Sequence, residues 1–277
     1  IHNSDDHHPQ GVTTADFPPG ILHHVERVKK LKEDIPLIIW WTDRLYLNKG
    51  LNRLSCTSGA ECYVTKERKY KSNYRTRGFY FYGTDFDPFD LPLPREPSHE
   101  WALFHEESPM NNYMFSHAST IKLFNHTATF KRDSDFPLTT NHIPDLQYLT
   151  KRKPVPIHMK NIYRREGLAP IAYIQSHCDV ASDRDRYVAE LMKYIKIDSY
   201  GKCLHNKDLS ESLRDPVESM FSEEFFAQIS RYKFILSYEN AICDDYMTEK
   251  LFRTFHVGSV PIYKGSRKVR DWIPDDD

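Results

Sequence analysis

The chain has 277 residues, with 38 Lys and Arg set against 39 Asp and Glu for a formal net charge of -1. That balance excludes a nucleic-acid-binding stripe and a polybasic membrane surface, and leaves a discrete small molecule or a protein patch as the partner. The length exceeds a single ordinary core and predicts two domains. No run reaches the length of a transmembrane helix, and the sequence opens at Ile1 without a signal-like apolar segment.

In chain order, residues 1–19 are rich in His, Asp and Pro, lack periodicity and read as a lead-in segment. A first α/β domain is expected over 20–150, with strands at 37–41, 78–82 and 101–105 and an alternating stretch at 121–130. The third strand runs directly into Glu106-Glu107-Ser108-Pro109. Successive strand residues point to opposite faces, so only one of these two acids can look into a given cleft. Basic residues and prolines mark 151–167 as a linker. A second domain follows over 168–277. It opens on a strand at 169–175 that ends in Ser176-His177-Cys178. A helix capped by Ser182 or Asp183 runs to 195, then a short strand and turn at 197–201 and a helix at 224–231.

The most informative stretch is 232–265. Two apolar runs of strand length, at 234–236 and 260–263, enclose a helix expected over 248–257 and stopped by Gly258, which makes a β-α-β unit. Such a unit leaves its loop and helix start at the carboxyl edge of the sheet, where open α/β sheets bind ligands. Ser237, Glu239, Asn240, Asp244, Asp245, Tyr246, Thr248, Glu249 and Lys250 concentrate there. Thr248 is the expected N-cap. Lys250 opposes the helix macrodipole, a conflict that a bound anion such as a diphosphate would remove.

Five cysteines, none in C-x-x-C spacing, argue against a metal site. Cys56 and Cys62 bracket a turn-rich loop that a disulfide would close, with Cys178 and Cys203 a second candidate pair, and both point to an oxidising lumen. Asn125 opens the single glycosylation sequon, Asn125-His126-Thr127.

The stretches YENAICDDYMTEKL and GSVPIYKGS resemble the α1,3-fucosyltransferase signature of glycosyltransferase family 10. SHCDVASDRDRYVAEL with IDSYGKC resembles that family's preceding donor-domain block, and HEESP with FNHTATFKRDSDFPL its acceptor-domain block. The wording FYGTDFD, LPLPR and HEESP is most similar to the branch described as protein O-fucosyltransferases. The resemblance implies a GT-B architecture, two Rossmann-like domains facing across a cleft. The second would hold GDP-fucose, and here stops short of the family's length at Asp277. It also implies an inverting, GDP-fucose-dependent fucosyltransferase of the endoplasmic reticulum or Golgi lumen, anchored as a type II membrane protein in full length. No cofactor is required, and the acceptor is a glycan GlcNAc or a protein Ser or Thr. A catalytically impaired donor-binding partner or chaperone is the alternative.

The same resemblance carries roles onto residues. Glu107 matches the catalytic base, a carboxylate able to take the acceptor proton. Arg184 and Lys250 match the diphosphate-binding cations, and Glu249 the carboxylate that accepts from the ribose hydroxyls. Asn240 and Tyr246 match donor-contacting positions, with Ser176 and Tyr200 as weaker donor candidates. Asp85-Phe86-Asp87 and Asp183-Arg184-Asp185 look like the D-x-D of metal-using transferases. A turn and a helix cap account for them better, and a metal would duplicate Arg184 and Lys250.

Overall fold

The computed structural model describes residues 22–31, 34–45, 49–140, 142–145, 147–213 and 219–273. The expected lead-in at 1–19 and the terminal aspartates lie outside the described residues. The chain forms two compact units, one of Ile1–Thr129 with Asp133–Phe136, the other of Phe130–Arg132 with Pro137–Asp277. The dividing line therefore falls before 150, where composition had placed it. Thr139 Oγ1 donates to the Phe130 carbonyl, and Tyr148 stacks on His256 at 4.2 Å, so 137–150 belongs with the second core.

The first unit is built on strands β1 (Leu22–Val28), β2 (Leu37–Trp40), β3 (Leu51–Cys56), β4 (Glu61–Thr65), β5 (Thr76–Tyr82), β6 (Glu100–His105) and β7 (His126–Thr129), in the order β1-β3-β4-β2-β5-β6-β7. β2 runs parallel to β4 and β5, β5 to β6, and β6 to β7, so the ends of β2, β5 and β6 meet at one carboxyl edge. Ile39, Phe79, Phe81, Trp101 and Leu103 alternate onto one face and pack with Phe115 and Phe124. The strand expected over 121–130 is shorter than its pattern. Helix α1 (Ala118–Ile121) continues into turns at Leu123 and Phe124, which drop Ile121, Leu123 and Phe124 together into that core.

The candidate Cys56–Cys62 disulfide does not form. β3 and β4 are a hairpin in which Leu54 faces Cys62 and the Cys56 N–H donates to the Ala60 carbonyl, so the cysteines are diagonal neighbours and both are free thiols. Diagonal residues stand roughly 7–8 Å apart, beyond disulfide reach. Burial pushes the Cys62 thiol up to about 12.

The second unit carries an all-parallel sheet of β8 (Ile171–Ile174), β9 (Ile197–Tyr200), β10 (Phe234–Tyr238) and β11 (Val260–Lys264), ordered β11-β10-β8-β9. Its helices are α2 (Gln147–Thr150), α3 (Ile157–Arg165), α4 (Arg184–Leu191), α5 (Glu223–Ile229) and α6 (Glu249–His256). The pleat sends Ile171, Tyr173, Leu236 and Tyr238 to α4, where Val188 waits. Ala172 and Ile235 turn to the opposite face with Phe225, Phe226 and Ile229 of α5. α6 begins and ends as its sequence predicts. The Thr248 side chain accepts from the Lys250 N–H. At the other end Gly258, at φ +65°, closes a Schellman motif in which Ser259 N–H reaches the Thr254 carbonyl. A side chain at 258 would also strike Pro154.

The expected linker at 151–167 instead contains α3, started at Pro156. Proline fits a helix start as well as a linker, and α3 is fastened by one buried cation. Lys160 donates to the carbonyls of Tyr232 and Gly258 and to Ser259 Oγ, at 2.7–3.3 Å, clipping α3 under the amino ends of β10 and β11. Burial pushes its ammonium down to about 8.

Cys178 and Cys203 form a disulfide joining the loops that follow β8 and β9. Closing a loop of 25 residues' separation removes unfolded-state entropy worth roughly 3 kcal/mol. The double variant Cys178→Ser, Cys203→Ser should lose about that much stability in a urea melt, and wild type under reductant should match it.

Candidate functional site

The carboxyl edge of the second sheet gathers the loops after β8, β10 and β11. These loops are tied to one another. Ser182 Oγ donates to the Glu239 carbonyl at 2.7 Å, Ser182 N–H to the Asn240 carbonyl at 3.0 Å, and Glu239 N–H to the Lys264 carbonyl at 2.9 Å. Arg184, the first residue of α4, is 1% exposed. Its guanidinium donates to the Tyr238 and His177 carbonyls, both at 2.8 Å, and its Nε is buried without a partner. Among the described residues no carboxylate pairs with it. A permanently charged group so placed has lost much of its hydration and attracts an anion.

At the start of α6 the charges are already matched. Lys250 Nζ lies 3.0 Å from Glu249 and 3.8 Å from Glu239, and Glu239 accepts from Thr248 N–H at 2.8 Å and Thr248 Oγ1 at 2.7 Å. Glu239 is fully buried. Burial raises its carboxyl above the ordinary range, with Lys250 opposing. Glu249 goes the other way. Burial would raise it, but Lys250, Arg253 and His142 hold it well below the usual carboxylate range.

Ser176 and Asn240 also reach this edge, Ser176 exposed and Asn240 buried, so the structure brings Ser176, Arg184, Asn240, Glu249 and Lys250 together. Tyr246 is buried beneath, its ring 5.0 Å from Phe130. The loop carrying it is pinned by Asp245, at φ 65°, which accepts from Arg132 and from the Trp272 indole. Arg132 thus holds residues 130–132 against the DDYM loop within the second unit. Tyr200 does not join the site. It is 1% exposed, packs with Phe225 and Ile229, and spends its hydroxyl on Tyr232, which donates to Asp198. A strand-end tyrosine long enough to span the α5 core face turns inward.

Neither D-x-D pattern gathers its acids. Asp85 pairs with Arg44 at 2.8 Å while Asp87 accepts from the Phe89 N–H. Asp183 sits in the left-handed region at φ 50° and pairs with Arg186, so neither it nor Ser182 caps α4 with its side chain, contrary to the pattern. Asp185 accepts from Tyr173 instead. Among the described residues, the one metal-like group of His, Cys and carboxylates is Cys178, Asp185 and Cys203, whose sulfurs are consumed by the disulfide.

In the first unit Glu106 and Glu107 stand at the carboxyl end of β6. Tyr82 donates its hydroxyl to Glu106 Oε1 at 3.1 Å, Glu106 Oε2 is buried without a partner, and burial raises that carboxyl. Glu107 is half-buried beside it. Asn125 is exposed, its Oδ1 accepting from Trp101 N–H and Arg95. Sequence reasoning assigned no role to Glu239, Arg132 or Lys264. For Glu239 the signal was present, a carboxylate nine residues before an N-cap threonine across a β-α turn.

Two sequence models of one family match this architecture, "Fucosyltransferase, N-terminal" over 33–141 and "Glycosyltransferase family 10 (fucosyltransferase) C-term" over 165–277. The chain belongs to glycosyltransferase family 10. Curated relatives include proteins named GDP-fucose protein O-fucosyltransferase 3 from Danio rerio, 49% identical over 241 residues, and from Bos taurus, 49% identical over 252 residues. These matches cover 87% and 90% of this chain, and 52% of each relative. The chain thus spans about half the length of the curated relatives it matches. Among solved structures, an α1,3-fucosyltransferase crystallised with GDP-fucose is similar at a TM-score of 0.48 and 14% identity, covering 88% of this chain and 73% of that one. Another α1,3-fucosyltransferase crystal structure is similar at a TM-score of 0.45 and 14% identity, covering 88% of this chain and 72% of that one.

Proposed function

We propose that this chain transfers L-fucose from GDP-β-L-fucose to a hydroxyl with inversion, and that the acceptor is a Ser or Thr of a folded protein domain. The observation that carries the donor half is Arg184, a buried guanidinium at a sheet's carboxyl edge that is held by two carbonyls and, among the described residues, by no carboxylate. The names of the curated relatives favour a protein acceptor over a glycan GlcNAc.

In this reading Arg184 and Lys250 receive the diphosphate and Glu249 the ribose hydroxyls, with Asn240, Tyr246 and Ser176 shaping the donor loop. Glu107 takes the proton of the acceptor hydroxyl as its oxygen bonds to the anomeric carbon. The bond from that carbon to the β-phosphate oxygen breaks, and its electron pair leaves with GDP, stabilised by the two cations. No metal takes part. The disulfide between Cys178 and Cys203 supports an oxidising compartment, the endoplasmic reticulum or Golgi lumen.

The test is GDP release from GDP-fucose in excess chelator, with folded protein domains and GlcNAc-ended glycans as acceptors. Multiple turnovers on a protein acceptor are expected. Turnover only on glycans would reverse the acceptor choice. GDP-dependent thermal stabilisation with no turnover on either would leave a donor-binding partner instead.

A further inference from the structure

Lys264 is the last residue of β11 and sits at the same carboxyl edge as Arg184. Its Nζ donates to the Ser182 carbonyl at 3.0 Å and lies 5.4 Å from the centre of the Tyr187 ring. Among the described residues no carboxylate pairs with it. An ammonium has three protons to donate. Here a carbonyl takes one and a ring face attracts the charge, and neither neutralises it. The contrast with Lys250 decides the electrostatics of this edge, because Lys250 already faces two carboxylates. Arg184 and Lys264, by contrast, have no carboxylate partner among the described residues.

These two cations flank one short loop. Ser182, whose carbonyl holds Lys264, is two residues before Arg184, and its hydroxyl bonds the Glu239 carbonyl next to Tyr238, whose carbonyl holds Arg184. Arg184 adds a buried Nε with no partner. Tyr187, 53% exposed, packs edge-on against Tyr238 at 5.9 Å and stands beside Lys264. The ring face and the Ser182 carbonyl together hold the ammonium at this edge, and one carbonyl uses only one of its three protons.

We propose that Lys264 is a further phosphate-binding residue of the donor site, pairing with Arg184 around the Ser182 loop to hold the nucleoside diphosphate. This rests on the donor-site reading above, and the experiment separates the two. GDP and guanosine are titrated into wild type, Lys264→Met and Lys264→Arg, by calorimetry for GDP and ligand-observed NMR for guanosine. Lys264→Met should weaken GDP binding by about tenfold to a hundredfold, the loss of one charge-assisted hydrogen bond. Guanosine binding should be unchanged, and Lys264→Arg should recover most of the GDP affinity.

Wild-type GDP affinity in Lys264→Met would overturn the assignment alone. Equal losses for GDP and guanosine would also overturn it, since a role in shaping the edge moves both. A wild-type chain that binds neither ligand would overturn the donor-site reading itself.

Discussion

Glu107→Gln should lower kcat for fucosyl transfer by about three orders of magnitude while leaving GDP affinity within about a factor of two. General-base catalysis contributes roughly 10²–10⁴ in rate, and an amide cannot take the acceptor proton. The neighbouring groups are disqualified in different ways. His105 is buried, and that burial pushes its imidazole down to about 4. Its ring packs instead on Phe115 at 4.8 Å. Glu106 follows the alternation of β6 onto the face of Tyr82 and Phe104, and one of its oxygens is held by the Tyr82 hydroxyl. Glu106→Gln should therefore cost at most about tenfold, since an amide oxygen still accepts from Tyr82. Steady-state kinetics on both variants, with GDP binding measured by calorimetry, checks the division. The reverse pattern, an inert Glu106→Gln variant and an active Glu107→Gln one, would move the base to Glu106.

Much of the second unit was legible because its rules are local. The β-α-β pattern at 232–265, the Thr248 cap and the Gly258 stop each depend on residues within a turn of one another, and each element lies within about two residues of its expected bounds. The first unit was read less fully. β1, β3 and β4 form an antiparallel flap whose members pair across turns, and their sequence carries no continuous apolar run. α3 was hidden behind its prolines, since its buried anchor is Lys160, a residue that reads as solvent-facing. In the site the β-α-β spacing led to Glu249 and Lys250 and the family resemblance to Arg184, and all three stand at the carboxyl edge of the second sheet. Neither could show which cations would be neutralised, because pairing with Glu239 depends on where a side chain from a different strand end arrives. Tyr200 failed for a related reason. A strand end fixes where the backbone stops, while the direction of a long side chain is decided by the core it finds.

The largest expected effect on stability lies at Glu239. Its carboxylate is the hub of the α6 start, accepting from Thr248 N–H and Oγ1 and standing 3.8 Å from Lys250. Glu239→Ala strands the cap residue's buried donors and should cost about 3 kcal/mol in a denaturant melt, with weaker GDP binding as the α6 start loosens. Glu239→Gln keeps the acceptor for Thr248 N–H and should cost less, and its pH dependence discriminates the cause. Burial raises the folded carboxyl above its ordinary 4.5, so its contribution is fully present below about that pH and is lost as pH rises through the folded value. Glu249 behaves oppositely, its lowered carboxyl contributing above 4.5 and losing that contribution only as pH falls. The stability difference between wild type and Glu239→Gln should therefore shrink from pH 4 upward, while the Glu249 contribution cancels in the comparison. A difference that grows with pH would mean that Glu239 works as a fully ionised partner of Lys250, and that attraction rather than desolvation governs this cluster.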